Sequence, residues 1–268
     1  MLLSFFLIAY AITWTLFTIV AIAVPASTAA GYVMVLLGAF SPAIAALALT
    51  AWSEGRRGVR ALLERILITD VPARYYLFAV TFMAAVKLTA ALLHRLLLGA
   101  WPRFGGSELL VMPFAVLFSW PFQAGEEIGW RGYALPRMAA RFGLRRASLA
   151  LGVIWAFWHL PQFYIAGGDT YHQSFLVWMP QVVAISVVAA GLYDRTGGSL
   201  LLVMLLHSAI NNTKDIVPSA QTPPPGAFSL RASAMSWLTM IVLWAVACVI
   251  LRRLKKVLTL STAASSPA

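Results

Sequence analysis

Long apolar segments alternate with short polar connections along nearly the whole chain. A helix needs about 20 predominantly apolar residues to cross the hydrocarbon core of a bilayer. Eight segments meet or approach that length, and we predict spans at Leu3–Val24, Tyr32–Trp52, Tyr76–Leu98, Leu109–Tyr133, Ala147–Ala166, Phe175–Tyr193, Gly198–Asn212 and Ala234–Leu251. The first exceeds the roughly 7–15 apolar residues of a secretory signal peptide, so we interpret it as a span. The pattern predicts an all-α polytopic membrane protein.

The connection from Glu54 to Asp70 differs from the others because its apolar and basic residues separate at helical spacing. The apolar set is Val59, Leu62, Leu63 and Ile66, and the basic set is Arg56, Arg60 and Arg65. A helix with one apolar and one basic side is typical of a segment that lies in the membrane interface. We predict such an interfacial helix, with a solvated charged loop as the alternative.

Composition agrees with the pattern of spans. Hydrophobic residues make up 61% of the chain, charged residues 11%, and the mean hydropathy is +0.82. A soluble domain has about 25% charged residues. The single cysteine, Cys248, falls in the last apolar segment, so it forms no internal disulfide and is interpreted as a packing residue.

The distribution of Lys and Arg predicts the orientation in the membrane. With the N-terminus in the cytoplasm, fifteen of the twenty basic residues fall on the inner side, and two, Lys87 and Arg95, fall within the third span. Only Arg103, Lys214 and Arg231 fall outside. The excess of basic residues in inner loops predicts cytoplasmic N- and C-termini. The net charge of +11 therefore indicates membrane orientation, and no nucleic-acid partner is expected.

Two adjacent carboxylates break the apolar pattern of the fourth span. The chain has nine acidic residues, and only Glu126 and Glu127 lie inside a predicted span. A charge at the bilayer centre costs roughly 2.5–3.5 kcal/mol on insertion scales, so such a residue indicates a functional site. Arg131 follows Glu127 by one helical turn and is its expected partner.

Polar residues of two other spans reach a similar depth. His159 lies roughly 18 Å from the inner end of the fifth span, His207 roughly 14 Å into the seventh, and Glu126 roughly 10 Å inside the fourth. Asn211 follows His207 by one turn on the same helix face. Lys87 in the third span is a further candidate counter-charge, whereas His94 and His172 are interpreted as structural or solvated. One site between three spans is predicted.

This set of side chains suits the activation of water. A glutamate in an apolar site serves as a general base, and Arg131 holds Glu127 ionised while leaving Glu126 free. The imidazoles of His159 and His207 and the amide of Asn211 can stabilise a tetrahedral oxyanion. The alternative is a zinc ion held by Glu126, His159 and His207, with one open position for water.

The motifs resemble those of the CPBP intramembrane proteases, which comprise CAAX prenyl endopeptidases and bacterial bacteriocin-processing or Abi proteins. They are Glu126-Glu127-x-x-x-Arg131, an aromatic residue (here Trp155, commonly Phe in the family) four positions before His159, and His207-x-x-x-Asn211. The resemblance covers residues 114–212. It implies a helical core around a cavity open to the cytoplasm, with Glu126 as the base and the other five residues completing the site.

On this basis we divide the chain into three parts. Residues 1–105 hold the N-terminal spans and the interfacial helix near 54–70. Residues 106–215 form the catalytic CPBP/Abi core, and residues 216–268 hold an outer loop, the last span and a basic tail, disordered from Thr259. The expected protein is an intramembrane endopeptidase of a bacterial cell membrane, acting on a peptide or a membrane protein, with a CAAX-like or lipidated substrate as one form.

Two other functions are compatible with parts of the sequence. A non-catalytic bacteriocin self-immunity or peptide-binding protein requires the same cavity but no chemistry. A proton-coupled transporter also uses intramembrane Glu and His, although such proteins more often show paired repeats with broken helices. The oligomeric state is not predicted.

Overall fold

A computed structural model describes residues 1–106 and 111–254 of the chain. The predicted start of the fourth span at Leu109, the basic residues Lys255 and Lys256, and the tail from Thr259 lie outside these ranges. Within them the α-helices are α1 Leu2–Ile22, α2 Ala29–Glu64, α3 Ala73–Leu98, α4 Val111–Ser119, α5 Ala124–Glu127, α6 Leu135–Phe142, α7 Leu144–Trp158, α8 Phe175–Arg195, α9 Leu200–Thr213 and α10 Ala234–Arg253. The described residues contain no β-strand.

Five of these helices are long and apolar enough to cross a membrane by themselves, namely α1, α2 with its short 3₁₀ extension, α3, α8 and α10. This confirms the all-α polytopic membrane protein. The other three predicted spans are shorter or interrupted: the fourth is divided among α4, α5 and α6, the fifth is α7, and the seventh is α9. All of the predicted site residues lie on, or directly after, these three irregular spans.

Helices α1 and α2 form an antiparallel pair held by hydroxyl groups. Thr13 donates to the carbonyl of Gly38 at 2.7 Å, and Ser41 donates to the carbonyl of Ala9 at 2.9 Å. Near its end α2 kinks at Gly55, whose φ of 65° is unfavourable for residues with a Cβ. The helix then continues to Glu64 with Leu62 buried, while its arginines stay exposed.

The fourth span changes its helical form around the glutamates. A 3₁₀ turn at Trp120–Gln123 includes Pro121, and a π-helical segment at Ile128–Ala134 follows α5. Short π-helical segments often occur at functional sites. Gly125 and Gly129 let this region approach α2, because a Cβ on Gly125 would meet the ring of Phe40 at 2.8 Å and one on Gly129 would meet Pro42 at 2.5 Å. Small residues four apart allow this close backbone approach.

The two ends of the bundle differ in charge and in loop length. The basic face is the end that carries Arg65, which bonds to Tyr193, and Arg145, which bonds to the carbonyls of Arg252 and Leu254. The loop face is the opposite end, where the connections 159–174 and 214–233 meet through a hydrogen bond from Gln221 to the carbonyl of His172.

Candidate active site

Glu127, Arg131 and His207 form a buried hydrogen-bonded group. Arg131 donates to Glu127 Oε1 at 2.8 Å, and Nδ1 of His207 lies 2.7 Å from the same oxygen. The side chains of Glu127 and Arg131 are each 1% exposed. The expected pairing of Glu127 with Arg131 is therefore present, and it also attaches α9 to the fourth span through His207.

Further hydrogen bonds set the position of α9 relative to α4. Ser208 donates to the carbonyl of Val116 at 2.8 Å, and Asn212 donates to Ser119 Oγ at 2.7 Å. These contacts hold His207 and Asn211 next to the 3₁₀ turn and α5, where the glutamates lie.

Trp155 connects the buried group to the second glutamate. The guanidinium of Arg131 lies 4.1 Å from the centre of a Trp155 ring, a distance at which cation and ring attract each other. The indole Nε1 donates to Glu126 Oε2 at 2.7 Å, and the Trp155 carbonyl lies 2.8 Å from His159 Nδ1. Sequence reasoning treated Trp155 only as an aromatic neighbour of His159, whereas the structure shows that it bonds to both Glu126 and His159.

His159 and Glu126 face each other across a short gap. Because a carbonyl oxygen only accepts hydrogen bonds, Nδ1 of His159 carries the proton in this contact, so Nε2 of the neutral ring is an acceptor. His159 Nε2 lies 3.9 Å from Glu126 Oε2, too far for a direct hydrogen bond but close enough for one water molecule to contact both. The Glu126 side chain is 14% exposed, unlike that of Glu127.

Asn211 lies at the edge of the same site. Its Nδ2 donates to Gln123 Oε1 at 3.3 Å, and its side chain is exposed to the cavity. A side-chain amide has two N–H groups, so one remains for a ligand. The structure therefore brings all six predicted site residues together from the three spans that the sequence indicated.

The site lies at the end of a cavity of about 210 Å³. Glu126, Trp155, His159, His207 and Asn211 line its inner part. Toward the loop face the lining consists of Gln162, Asp169, Thr170, Gln173, Lys214, Asp215 and Ser219. The cavity thus extends to the loop face and away from the basic face. The end of α10, with Arg252 and Leu254, lies at the basic face, opposite the end to which the cavity extends. Cytoplasmic termini and a cytoplasm-facing cavity, both expected from the sequence, are therefore incompatible in this structure.

A lysine with two carboxylate neighbours lies where the cavity meets the loop face. Lys214 follows the end of α9 and contacts Asp169 at 3.0 Å and Asp215 at 3.3 Å. Burial by itself lowers the pKa of Lys214, but the two carboxylates outweigh it, and the pKa lies above the ordinary lysine value. Lys214 stays protonated and joins the connections 159–174 and 214–233.

The remaining polar candidates do not contact the glutamates. Lys87 lines the cavity, but its Nζ donates to Ser219 Oγ at 2.7 Å. His94 bonds to the carbonyl of Ala100 and His172 to that of Gln221, which agrees with their structural interpretation. Among the described residues, Lys87 makes no contact with Glu126 or Glu127, so its predicted pairing with them is not observed.

The three candidate zinc ligands, Glu126, His159 and His207, line the same cavity. Among the described residues, no group of three or more His, Cys, Asp or Glu side chains is arranged to hold a metal ion. Glu126 and His159 face each other, and His207 bonds to Glu127 through Nδ1, which leaves its Nε2 as the atom that could bind a ligand. The steps proposed below use the protein's own acids, imidazoles and amide, and zinc stays the alternative.

Two comparisons show which known proteins this chain resembles. Residues 106–213 match the family model described as type II CAAX prenyl endopeptidase Rce1-like, and this segment contains every predicted site residue. The "CAAX prenyl protease 2" of Methanococcus maripaludis is 24% identical to this chain over 238 residues, which cover 81% of the chain and 85% of that relative.

Proposed function

We propose that this chain, which belongs to the CPBP family of CAAX-type intramembrane proteases, hydrolyses a peptide bond in its membrane cavity with Glu126 as the general base. The protease class follows from the family; the assignment of roles is our proposal. The observation that carries it is the contrast within the acidic pair. Glu127 is buried and its Oε1 is bonded to both Arg131 and His207, whereas Glu126 borders the cavity opposite His159.

Glu126 and His159 together position the attacking water. Trp155 holds Glu126 Oε2, and Oε1 has no hydrogen bond to any described residue. A water molecule between Glu126 and His159 Nε2 gives one proton to the Glu126 carboxylate while the water oxygen attacks the scissile carbonyl carbon. The carbonyl electron pair moves to its oxygen, and the protonated Glu126 then donates to the leaving amine as the C–N bond breaks. General-base catalysis of this type contributes about 10²–10⁴-fold.

Asn211 is the best-placed donor for the oxyanion. Its second amide N–H faces the cavity, whereas neutral His159 presents an acceptor at Nε2. Removal of one oxyanion donor costs about 10²–10³ in kcat. Glu127, Arg131 and His207 act through their contacts: they hold α9 in register and support the ring of Trp155.

The substrate is a peptide segment that enters from the loop face. Apolar residues Met83, Trp178, Val182 and Ile185 form one side of the cavity, which suits apolar side chains after the scissile bond. The name of the Methanococcus relative specifies a CAAX prenyl substrate, and a lipidated CAAX-like peptide remains one candidate for this chain.

Peptide cleavage by the purified protein in detergent tests the assignment. Quenched peptides with and without a farnesylated cysteine are incubated with wild type, Glu126→Gln and Asn211→Ala, each with and without a zinc chelator. We expect Glu126→Gln to lower kcat at least 10²-fold with unchanged thermal stability, and wild-type activity to survive the chelator. Full activity of Glu126→Gln contradicts the proposal. If the chelator abolishes the activity of wild type and added zinc restores it, metal chemistry replaces the proposal.

We infer the orientation from the arginines, which places the basic face in the cytoplasm. The cavity then opens on the extracytoplasmic side. Single cysteines at Arg57 on the basic face and at Thr222 on the loop face, in a Cys248→Ser background, test this with a membrane-impermeant maleimide on intact cells. Labelling of Thr222→Cys alone is expected. Labelling of Arg57→Cys alone would show the opposite orientation, in which the cavity opens to the cytoplasm.

A further inference from the structure

A second groove lies at the basic face, between α3, α8 and α10. Its volume is about 330 Å³, within the range of about 300–1,000 Å³ that is typical of small-molecule sites. Val188 and Leu192 of α8, Phe78 of α3 and Ile250 of α10 give it an apolar lining. Among the described residues it shares no lining residue with the catalytic cavity, so it is a separate feature of the molecule.

The groove opens toward the membrane. In the most apolar part of α8, 78% of the residues are buried, against 39% for α3 and 28% for α10. The central helix α8 therefore forms the floor of the groove, and the two peripheral helices form its walls. A ligand that enters between α3 and α10 comes from the space that lipid chains occupy.

Three arginines lie at one end of this groove. Arg74 is in the first turn of α3, Arg195 is the last residue of α8, and Arg253 is the last residue of α10. All three are exposed and belong to the lining. Val188 precedes Arg195 by seven residues, which is about 10 Å of helix. The groove is thus cationic at the basic face and apolar deeper in the membrane.

Within residues 1–106 and 111–254, none of these three arginines forms an ion pair with a carboxylate, whereas three other arginines do. Arg74 instead lies 5.0 Å from the ring centre of Tyr75. Asp194 precedes Arg195 and has a contact of its own, but it is outside the lining. With its charge counted against the three arginines, this end of the groove still has a net charge of +2.

We propose that this groove binds an anionic phospholipid, with the phosphate between Arg74, Arg195 and Arg253 and an acyl chain along α8. Arginine donates two parallel hydrogen bonds to a phosphate, and basic pockets between membrane helices bind anionic headgroups. A soluble phosphate would use the arginines but leave the apolar walls unoccupied, which favours a lipid. The site is independent of the chemistry proposed for Glu126.

Thermal unfolding of the purified protein in detergent tests the site. Phosphatidylglycerol and phosphatidylcholine with identical acyl chains are added to separate samples, because only the first carries a net negative charge. A ligand present at 100 times its Kd raises Tm by roughly 5–10 °C. We expect such an increase with phosphatidylglycerol and a smaller one with phosphatidylcholine. The triple variant Arg74→Gln, Arg195→Gln, Arg253→Gln is expected to lose this difference.

A second triple variant controls for total charge. Arg57→Gln, Arg141→Gln and Arg146→Gln together remove three charges from exposed positions outside the groove, and the difference between the two lipids is expected to persist. Equal effects of both lipids on wild type, or the same loss in both triple variants, overturns the proposal. Glycerol phosphate is the soluble probe: an increase in Tm equal to that from phosphatidylglycerol would show a simple anion site and refute a lipid site.

Native mass spectrometry supplies an independent measurement by counting the lipids that stay bound. One phosphatidylglycerol retained by wild type and by the charge-matched control, but lost from the groove variant, supports a single site. Equal retention by all three proteins contradicts it. The same measurement on Glu126→Gln should match wild type, so a failure of the proposed peptide hydrolysis leaves this result unchanged.

Discussion

Arg131→Met is expected to destabilise the protein strongly, because it leaves the carboxylate of Glu127 buried without its cation. Both side chains are 1% exposed and their charged atoms are 2.8 Å apart. Removing one partner of a buried ion pair typically costs about 3–5 kcal/mol, which corresponds to a decrease in Tm on the order of 10 °C. Glu127→Gln should be similarly costly, since Arg131 then remains as the uncompensated charge.

The double variant distinguishes charge burial from packing. Arg131→Met with Glu127→Gln removes both charges, and replacement of a buried pair by neutral residues is often neutral or stabilising. What remains lost is the stacking of Arg131 on Trp155, worth about 2 kcal/mol when desolvated. We therefore expect the double variant to be more stable than either single variant.

Thermal unfolding in detergent, followed by tryptophan fluorescence, measures all four proteins of this cycle. The pair Arg60–Glu64 is the matched control, since it has the same i,i+4 spacing and a distance of 2.7 Å but side chains that are 82% and 51% exposed. Solvent screens such a pair, so its variants should show no measurable shift. Additive losses in the Glu127–Arg131 cycle would refute the assignment of this pair as a buried, mutually dependent unit.

Three further predictions concern the surroundings of the site. Trp155→Phe removes the indole N–H that holds Glu126 while keeping a ring over the guanidinium, so kcat should fall about 10-fold with little change in Tm, measured on the same quenched peptides. Gly129→Ala places a Cβ 2.5 Å from Pro42 and is expected to cost about 1–3 kcal/mol in thermal unfolding; an unchanged Tm would show that α2 moves freely. Lys214 has a raised pKa, so its contribution is complete below the ordinary lysine value of about 10.4 and is lost as the pH rises through the higher folded-state pKa. Unfolding of wild type and Lys214→Met should accordingly converge only at strongly alkaline pH, and convergence near neutral pH would contradict the pairing.

The sequence alone determined the fold class and singled out the candidate site residues. Apolar segments of membrane length predict helices because the bilayer leaves backbone groups no partner except one another. Glu126, Glu127, His159 and His207 stood out because polar groups are rare and costly inside such segments. The motif spacing added the family, and Arg131 was correctly paired with Glu127 because both lie one turn apart on the same segment.

Only the tertiary structure decided which of these residues contact one another and where the cavity leads. The contact of Trp155 with Glu126 and that of Lys87 with Ser219 join residues 29 and 132 positions apart in the chain, and no local period encodes such distances. Breaks in the fourth span were equally hidden, because the apolar composition that predicts a span does not distinguish 3₁₀, α and π backbone within it. The opening toward the loop face follows from how α3, α7, α8 and α9 pack, since a cavity is the space that side chains of separate helices leave unfilled.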